Sequence, residues 1–258
     1  MSRINGYLGR RNLVKLMGLA GVSAAAATAC QQAPSQQASA PQAQPIADTT
    51  KTKAVNARPF TDDMTPDQAL QLLMDGNKRF LEQKLVHPRQ DFARLTETNA
   101  DQFPYVSFLS CADSRVPVEI LFDQGIGDCF VVRVAGNIAT TEALGSLEFG
   151  SAVLGSRVLM VLGHENCGAV NAVLRQQKLP AESKIGSLVP YIEPGVEKVK
   201  GQPGNDLVNA IKSSVAVQVE SLKKSPILTG LVKQNKLKIV GAYYDLDTGK
   251  VELLDAKA

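Results

Sequence analysis

The sequence predicts an α/β protein with a central, mostly parallel sheet flanked by helices, a helical arm before the sheet and an edge hairpin at the C-terminus. Two observations predict the sheet and its hairpin. Short apolar runs rich in β-branched residues alternate with helical patterns beyond Phe103. Such runs are typical of parallel strands covered by helices on both faces. The last two apolar runs are separated by Asp247, Thr248 and Gly249, which predicts a hairpin turn.

The arm is predicted over the segment TPDQALQLLMDGNKRFLEQK, which begins at Thr65. Thr65 suits the N-cap of a helix, Pro66 suits the first helical position, and Gln68 completes a capping box. The apolar residues of the segment recur near helical spacing: Leu70, Leu73, Met74 and Phe80. This spacing predicts an amphipathic helix whose apolar face packs on the main domain or on another subunit.

The elements that follow are predicted in the order strand YVSFLSC, helix near PVEILF, strand CFVVRVA, helix TEALGSLEFGSAVL, strand RVLMVLGH and helix CGAVNAVLRQ. A longer helical region is predicted from about Leu207 to Val232, and the hairpin KLKIVGAYYDLDTGKVELL follows it. No internal repeat interrupts this order.

Residues 1–30 predict an export signal. A basic stretch ending in RRNLVK precedes the run LMGLAGVSAAAATA, which is shorter than the roughly 20 residues that span a bilayer. The pair Arg10 and Arg11 resembles a twin-arginine signal, which serves proteins exported already folded. We therefore expect the protein in the periplasm or cell envelope.

Cys30 raises two alternatives. The stretch ATAC resembles a bacterial lipobox, although Ala27 stands where Leu is usual, and this predicts a lipid anchor to the membrane at Cys30. Ordinary cleavage after Ala29 would instead leave a soluble protein. The anchor is favoured because QQAPSQQASAPQAQP follows, a composition that cannot fold and suits a tether. The tether is predicted over residues 31–60 and the folded domain over residues 61–258.

The charge balance excludes a nucleic-acid partner. The net charge is +3, but the first 30 residues hold four basic residues and no acid, so their removal leaves −1. A near-neutral protein lacks the excess of positive charge with which proteins bind the phosphate backbone of nucleic acids. With 44% hydrophobic residues, the chain can bury an ordinary core.

Two thiols and an imidazole are predicted to meet at one edge of the sheet. YVSFLSC ends at Cys111, RVLMVLGH ends at His164, and Cys167 follows three residues later. In open α/β sheets, ligands bind beyond the carboxyl ends of the strands. Sulfur and nitrogen ligands suit tetrahedral Zn²⁺, and three protein ligands leave the fourth position open, as in catalytic sites.

The pair of motifs Cys-x-Asp-Ser-Arg and His-x-x-Cys-Gly resembles the signature of the β-class carbonic anhydrases, and the resemblance runs from about Thr65 to the C-terminus. It implies one Zn²⁺ per subunit on Cys111, His164 and Cys167, with Asp113 and Arg115 as a catalytic dyad. It also implies reversible hydration of CO2 to bicarbonate and a proton by zinc-bound hydroxide, in a homodimer or tetramer.

Further residues match the plant-type branch of that family. Gln102, nine residues before Cys111, matches its substrate-binding glutamine. Phe130 and Phe149 fall where the branch lines its CO2 pocket with aromatics, and Phe149 replaces a usual Tyr. The segment GDCFVVRVAGN resembles the family's stretch between the two motifs.

Asp113 decides between two states of the predicted site. Two thiolates and one imidazole neutralise Zn²⁺, so the metal acidifies water less than it does with three imidazoles. Asp113 is expected to accept a hydrogen bond from the hydroxide while Arg115 holds the carboxylate. Asp113 as a fourth zinc ligand would close the site, which in this family is the inactive state. Gln102, and Phe108 where the switching branch has Trp, favour the open state.

Two other functions are compatible with the same motifs. The same scaffold would suit hydrolysis of COS or CS2, and a site that has lost activity would leave a non-enzymatic zinc-binding lipoprotein. Intact Asp113, Arg115 and Gln102 favour the CO2 enzyme.

Cys129 has no partner motif and is expected to pack in the core. His87 is expected in a loop, so no histidine proton relay is visible.

Overall fold

A computed structural model of the chain describes residues 63–178 and 182–254. The signal, the lipid attachment at Cys30 and the tether lie outside the described residues, and the domain boundaries stay predictions. Within those two ranges, the helices are all too short or too polar to cross a bilayer.

The centre of the fold is a five-stranded sheet in the order β2-β1-β3-β4-β5. Its strands are β1 Val106–Ser110, β2 Cys129–Arg133, β3 Val158–His164, β4 Lys238–Tyr244 and β5 Val251–Leu254. The first four pair in parallel, and β5 pairs with β4 in antiparallel fashion. At the β4–β5 turn the Gly249 amide donates to the Asp245 carbonyl, and Gly249 has a φ of +80°. The predicted mostly parallel sheet and its edge hairpin are confirmed.

Helices cover both faces of the sheet. They are α1 Pro66–Leu81, α2 Phe92–Glu97, α3 Val118–Leu121, α4 Thr141–Glu148, a π-helix Phe149–Val153, α5 Gly168–Leu174, a 3₁₀-helix Lys184–Leu188, α6 Val189–Lys198, α7 Asp206–Leu222 and α8 Pro226–Lys233. The sequence patterns did not predict α2, the 3₁₀-helix or α6.

Two predicted helices differ from the structure. The helix predicted through TEALGSLEFGSAVL changes to π geometry at Phe149, where Gly150 lies against β1 so closely that a Cβ would be 2.7 Å from Ser107 Oγ. The long region from Leu207 to Val232 is two helices. The break has a local cause, because Ser225 caps α8 by accepting from the Leu228 amide and Pro226 starts the new helix.

The N-terminal arm packs on the sheet of its own chain. The predicted capping box is present, since Thr65 and Gln68 exchange hydrogen bonds. Leu73 is fully buried in a cluster that includes Phe108 and Met160 from the sheet. The structure therefore shows the first of the two packing partners predicted for the apolar face, the main domain.

The opposite face of the sheet carries the helices that surround the carboxyl ends of β1 and β3. Here α5, α6 and α7 pack together in a cluster that includes Cys111 and Cys167. Gly163 permits the close approach of α7, because a Cβ at this position would lie 2.5 Å from Val215 Cγ2. The residue after this glycine is His164, so the close packing of α7 fixes the end of β3.

Candidate metal centre

Cys111, His164 and Cys167 form one buried cluster at the carboxyl edge of the sheet. Cys111 follows β1, His164 is the last residue of β3, and Cys167 is the N-cap of α5. The two strands are parallel neighbours, so their carboxyl ends meet. One ligand atom from each residue lies within 4.8 Å of the other two, and the three residues are 4%, 0% and 1% exposed. The predicted convergence is therefore present.

The His164 ring is oriented as a metal ligand would be. Nδ1 lies 2.9 Å from the Glu165 carbonyl oxygen, and this contact assigns the ring proton to Nδ1, which donates to that oxygen. The lone pair of Nε2 then faces the thiols. Nε2 is buried and accepts no hydrogen bond from the described residues. A buried ring nitrogen without a partner fits a metal ion, so this donor set fits the group that the motifs imply.

The two thiols differ in their affinity for a proton. The hydrogen bond with Cys167 lowers the pKa of Cys111 to about 4 against the opposing effect of burial, and the Gly136 amide, which donates to Cys111 Sγ at 3.3 Å, adds to this. The same thiol–thiol bond raises the pKa of Cys167, and burial raises it further. Without metal the pair therefore shares one proton. One thiolate is preformed, which favours a cation that prefers sulfur.

Asp113 and Arg115 form a tight ion pair at the mouth of the cluster. Arg115 Nε and the Arg115 amide both donate to Oδ1 at 2.9 Å, and Nη2 donates to Oδ2 at 2.8 Å. The Arg115 hydrogen bonds hold the pKa of Asp113 well below its usual range. Oδ2 lies 3.8 Å from His164 Nε2, so the carboxylate borders the ligand cluster. Arg115 Nη2 also reaches the Asn166 carbonyl oxygen at 3.4 Å, which links the two motifs.

The three predicted substrate residues lie apart from this cluster within one chain. Phe130 pairs with Ser107, four residues before Cys111, so it lies about 13 Å along the sheet from the thiol. Phe149 packs beside Phe130 with 6.3 Å between ring centroids, and it is 46% exposed. Gln102 is exposed and precedes the amino end of β1.

Two contact residues of the site were not identified from the sequence. Arg133, the last residue of β2, donates from Nε to the Cys111 carbonyl at 3.0 Å and from Nη2 to the Asp113 carbonyl at 2.5 Å. The Gly136 amide donates to Cys111 Sγ, and Gly136 has a φ of +76°, which a residue with a Cβ rarely adopts. Their position in the segment GDCFVVRVAGN could have indicated them, since Arg133 ends the strand beside β1 and Gly136 follows that strand.

The minor predictions agree with the structure. Cys129 packs against the core cluster that contains Phe108, and burial raises its thiol pKa. His87 is exposed in the loop after α1, where its amide donates to Asp123 Oδ1 at 3.0 Å. Neither residue belongs to the cluster of ligands.

Comparison with known proteins identifies the family. Residues 106–251 match the family described as carbonic anhydrase. Carbonic anhydrase 2 of Mycobacterium tuberculosis is 35% identical over 195 residues, which cover 74% of this chain and 93% of the relative. A Coccomyxa β-carbonic anhydrase, solved in complex with acetazolamide, aligns with a TM-score of 0.55 and 25% identity over 75% of this chain and 87% of that one.

One of two tetrameric β-carbonic anhydrases of Sordaria macrospora has the same fold, with a TM-score of 0.57, 18% identity and coverage of 62% of this chain and 85% of that one. The fold, the family match and the relative's nearly full-length coverage agree with the two motifs at the sheet edge. The chain therefore belongs to the β class of the carbonic anhydrase family.

Proposed function

We propose that this carbonic anhydrase interconverts CO2 and bicarbonate with one Zn²⁺ held by Cys111, His164 and Cys167. The observation that carries the proposal is the buried Nε2 of His164, which has no hydrogen-bond partner among the described residues and faces two thiols. When bound, Zn²⁺ would lower the pKa of a water molecule enough to make it a nucleophile near neutral pH.

Asp113 orients the attacking water in this proposal. Because Arg115 keeps the pKa of the carboxyl low, Asp113 stays ionised near neutral pH and is an acceptor of hydrogen bonds, not a store of protons. It accepts a hydrogen bond from the water on the side of Oδ2, which borders His164. The lone pair of the water then points toward CO2.

The proposed resting state at neutral pH is open. For Asp113 to become a fourth ligand, its carboxylate would have to leave the three hydrogen bonds from Arg115. Charge-assisted, bidentate bonds of this kind are the stronger class of hydrogen bond. A zinc site at neutral pH in which an Asp113 oxygen is bound to the metal would overturn this part of the proposal.

We further propose that Gln102, Phe130 and Phe149 serve the substrate pocket of a second copy of the chain. Phe130 belongs to β2, which is an edge strand of the sheet, and Phe149 packs beside it with much of its ring exposed. Gln102 is exposed before the amino end of β1, so all three lie away from their own thiols. The Sordaria macrospora relatives are tetrameric, which agrees with a homodimer or tetramer.

Mixing two damaged chains tests the shared pocket. A Cys111→Ser chain lacks a zinc ligand, and a Phe130→Ala chain lacks a pocket residue. If the pocket is shared, a mixed dimer contains one site with intact ligands from one chain and an intact pocket from the other. Activity after refolding the two together should exceed the sum of the separate activities. Strict additivity would contradict a shared pocket.

The catalytic proposal is tested by stopped-flow CO2 hydration at several zinc loadings. A rate that rises in proportion to bound zinc, up to one per chain, supports it. Loaded protein that hydrolyses COS but does not hydrate CO2 would favour the rival activity. Loaded protein inactive on both would favour a binding protein.

We also propose that residues 1–30 direct export through the twin-arginine route and that Cys30 carries a lipid. The route suits the site, because Cys111 and Cys167 without metal would form a disulfide readily in an oxidising compartment. Folding and zinc loading in the cytosol avoid this. Replacing Arg10 and Arg11 by Lys should retain the protein inside the cell, and the mass of the mature N-terminus should show acylated Cys30. Efficient export of the double variant, or a mature chain beginning without an acyl group, would contradict these points.

A further inference from the structure

Arg133 lies outside both motifs, yet its side chain contacts the main chain of the first one. Nε donates to the Cys111 carbonyl at 3.0 Å and Nη2 donates to the Asp113 carbonyl at 2.5 Å. These carbonyls flank Ala112. One planar guanidinium therefore bonds to the main chain of both a proposed metal ligand and the residue that orients water.

Arg133 and Arg115 restrain different parts of Asp113. Arg115 holds the carboxylate, whereas Arg133 holds the backbone carbonyl of the same residue. The backbone on each side has further bonds, from the Val134 amide to the Ser110 carbonyl at 3.0 Å and from the Val116 amide to the Asp113 carbonyl at 3.1 Å. The side chain of Arg133 connects β2 to the backbone of residues 111–113.

Holding this backbone in place affects both the binding of zinc and the access of water to the fourth ligand position. A shift of the peptide at Ala112 would move Cys111 Sγ away from the other ligands or turn Asp113 toward them. The carboxylate contact with Arg115 opposes the turning of Asp113, but it does not hold the backbone that carries Cys111. Groups that orient ligands in this way commonly affect metal affinity or activity about 10- to 100-fold.

We infer that Arg133 is a positioning residue that fixes the Cys111–Asp113 main chain, and so slows zinc loss and keeps Asp113 in place for the attacking water. The inference rests on the proposed zinc function. A wild-type protein without zinc or CO2 hydration would refute that function, whereas the variants below test Arg133 against an active wild type.

The experiment compares Arg133→Gln and Arg133→Lys with Arg175→Gln. Arg175 is exposed at the C-terminal end of α5, opposite to the end that carries Cys167, so its replacement removes the same charge from the surface and leaves the contacts of residues 111–113 unchanged. The readouts are the rate of zinc transfer to a chromophoric chelator and kcat/KM at equal zinc content. Arg133→Gln should release zinc about 10- to 100-fold faster and lose kcat/KM by a similar factor. Arg133→Lys should lie between, because an ammonium has no planar fork, and Arg175→Gln should stay within about twofold.

A second measurement separates positioning from overall stability. Adding millimolar guanidinium chloride to folded Arg133→Ala should restore part of kcat/KM and slow zinc release, and sodium chloride at the same ionic strength should not. If Arg133→Ala does not fold, the same rescue is measured on Arg133→Gln. Wild-type zinc release and kcat/KM in Arg133→Gln would overturn the inference. So would a lowered unfolding temperature without any rescue by guanidinium, since that result indicates a merely structural residue.

Discussion

Replacing Asp113 by Asn removes the charge of the water-orienting side chain and keeps its size. In the structure Oδ1 accepts from Arg115 Nε and the Arg115 amide, and Oδ2 accepts from Nη2. An Asn oxygen can replace Oδ1, but the Asn amide group would face the donor Nη2. One hydrogen bond involving charged groups is lost, and such bonds contribute about 1.5 to 3 kcal/mol.

The expected effect on catalysis follows from this loss. If the whole amount is lost from transition-state stabilisation, about 1.4 kcal/mol per factor of ten gives a fall in kcat/KM of about 10- to 150-fold. The Asn amide also cannot accept the hydrogen bond from the attacking water, so we expect the upper part of this range. Zinc should remain bound, because the atoms of Cys111, His164 and Cys167 are unchanged.

The assay is stopped-flow hydration of CO2 by wild type and Asp113→Asn at equal, measured zinc content. Asp247→Asn is the matched control, since Asp247 is exposed in the β4–β5 turn and the same change there should leave the rate within twofold. If zinc-loaded Asp113→Asn hydrates CO2 within twofold of wild type, the reasoning about Asp113 is wrong.

Three further predictions concern protons and stability. Zinc binding to the metal-free protein near pH 7 should release about one thiol proton, because Cys111 is ionised and Cys167 holds the shared proton. Calorimetry in buffers with different heats of ionisation measures the number of protons released, and the release of two protons would contradict this prediction. Gly136→Ala should lower the free energy of unfolding by at least about 1 kcal/mol, given its φ of +76° and crowded site, so an unchanged denaturation midpoint would count against the fold described. Leu73→Ala should lower the free energy of unfolding by about 2 to 5 kcal/mol, because Leu73 is fully buried. The control Phe92→Ala should lower it by less than about 0.5 kcal/mol, because Phe92 is 86% exposed. Equal losses for the two variants in urea titrations would refute the packing of α1 on its own domain.

The metal cluster was predictable from the sequence because its geometry follows from topology. Cys111 and His164 each stand at the carboxyl end of a β-rich apolar run, and parallel neighbours bring those ends together. The capping box at Thr65 was equally readable, since it depends on local spacing. Sequence pattern determines such features directly.

Other features depend on contacts that residue type does not encode. Arg133 bonds to backbone carbonyls, and any residue supplies a carbonyl, so the sequence contains no mark of its partners. The π geometry at Phe149 and the separation of Phe130 from Cys111 depend on strand register and on packing between elements. The break before α8 was marked by Ser225 and Pro226, a local signal that the continuous apolar pattern obscured.

The most direct test of the account is the zinc anomalous signal in crystals of the purified protein at neutral pH. One peak per chain is expected, bonded to Cys111 Sγ, His164 Nε2 and Cys167 Sγ, with no Asp113 oxygen in the fourth position. A protein that hydrates CO2 without a peak at these three atoms, or with its zinc bound elsewhere, would contradict it.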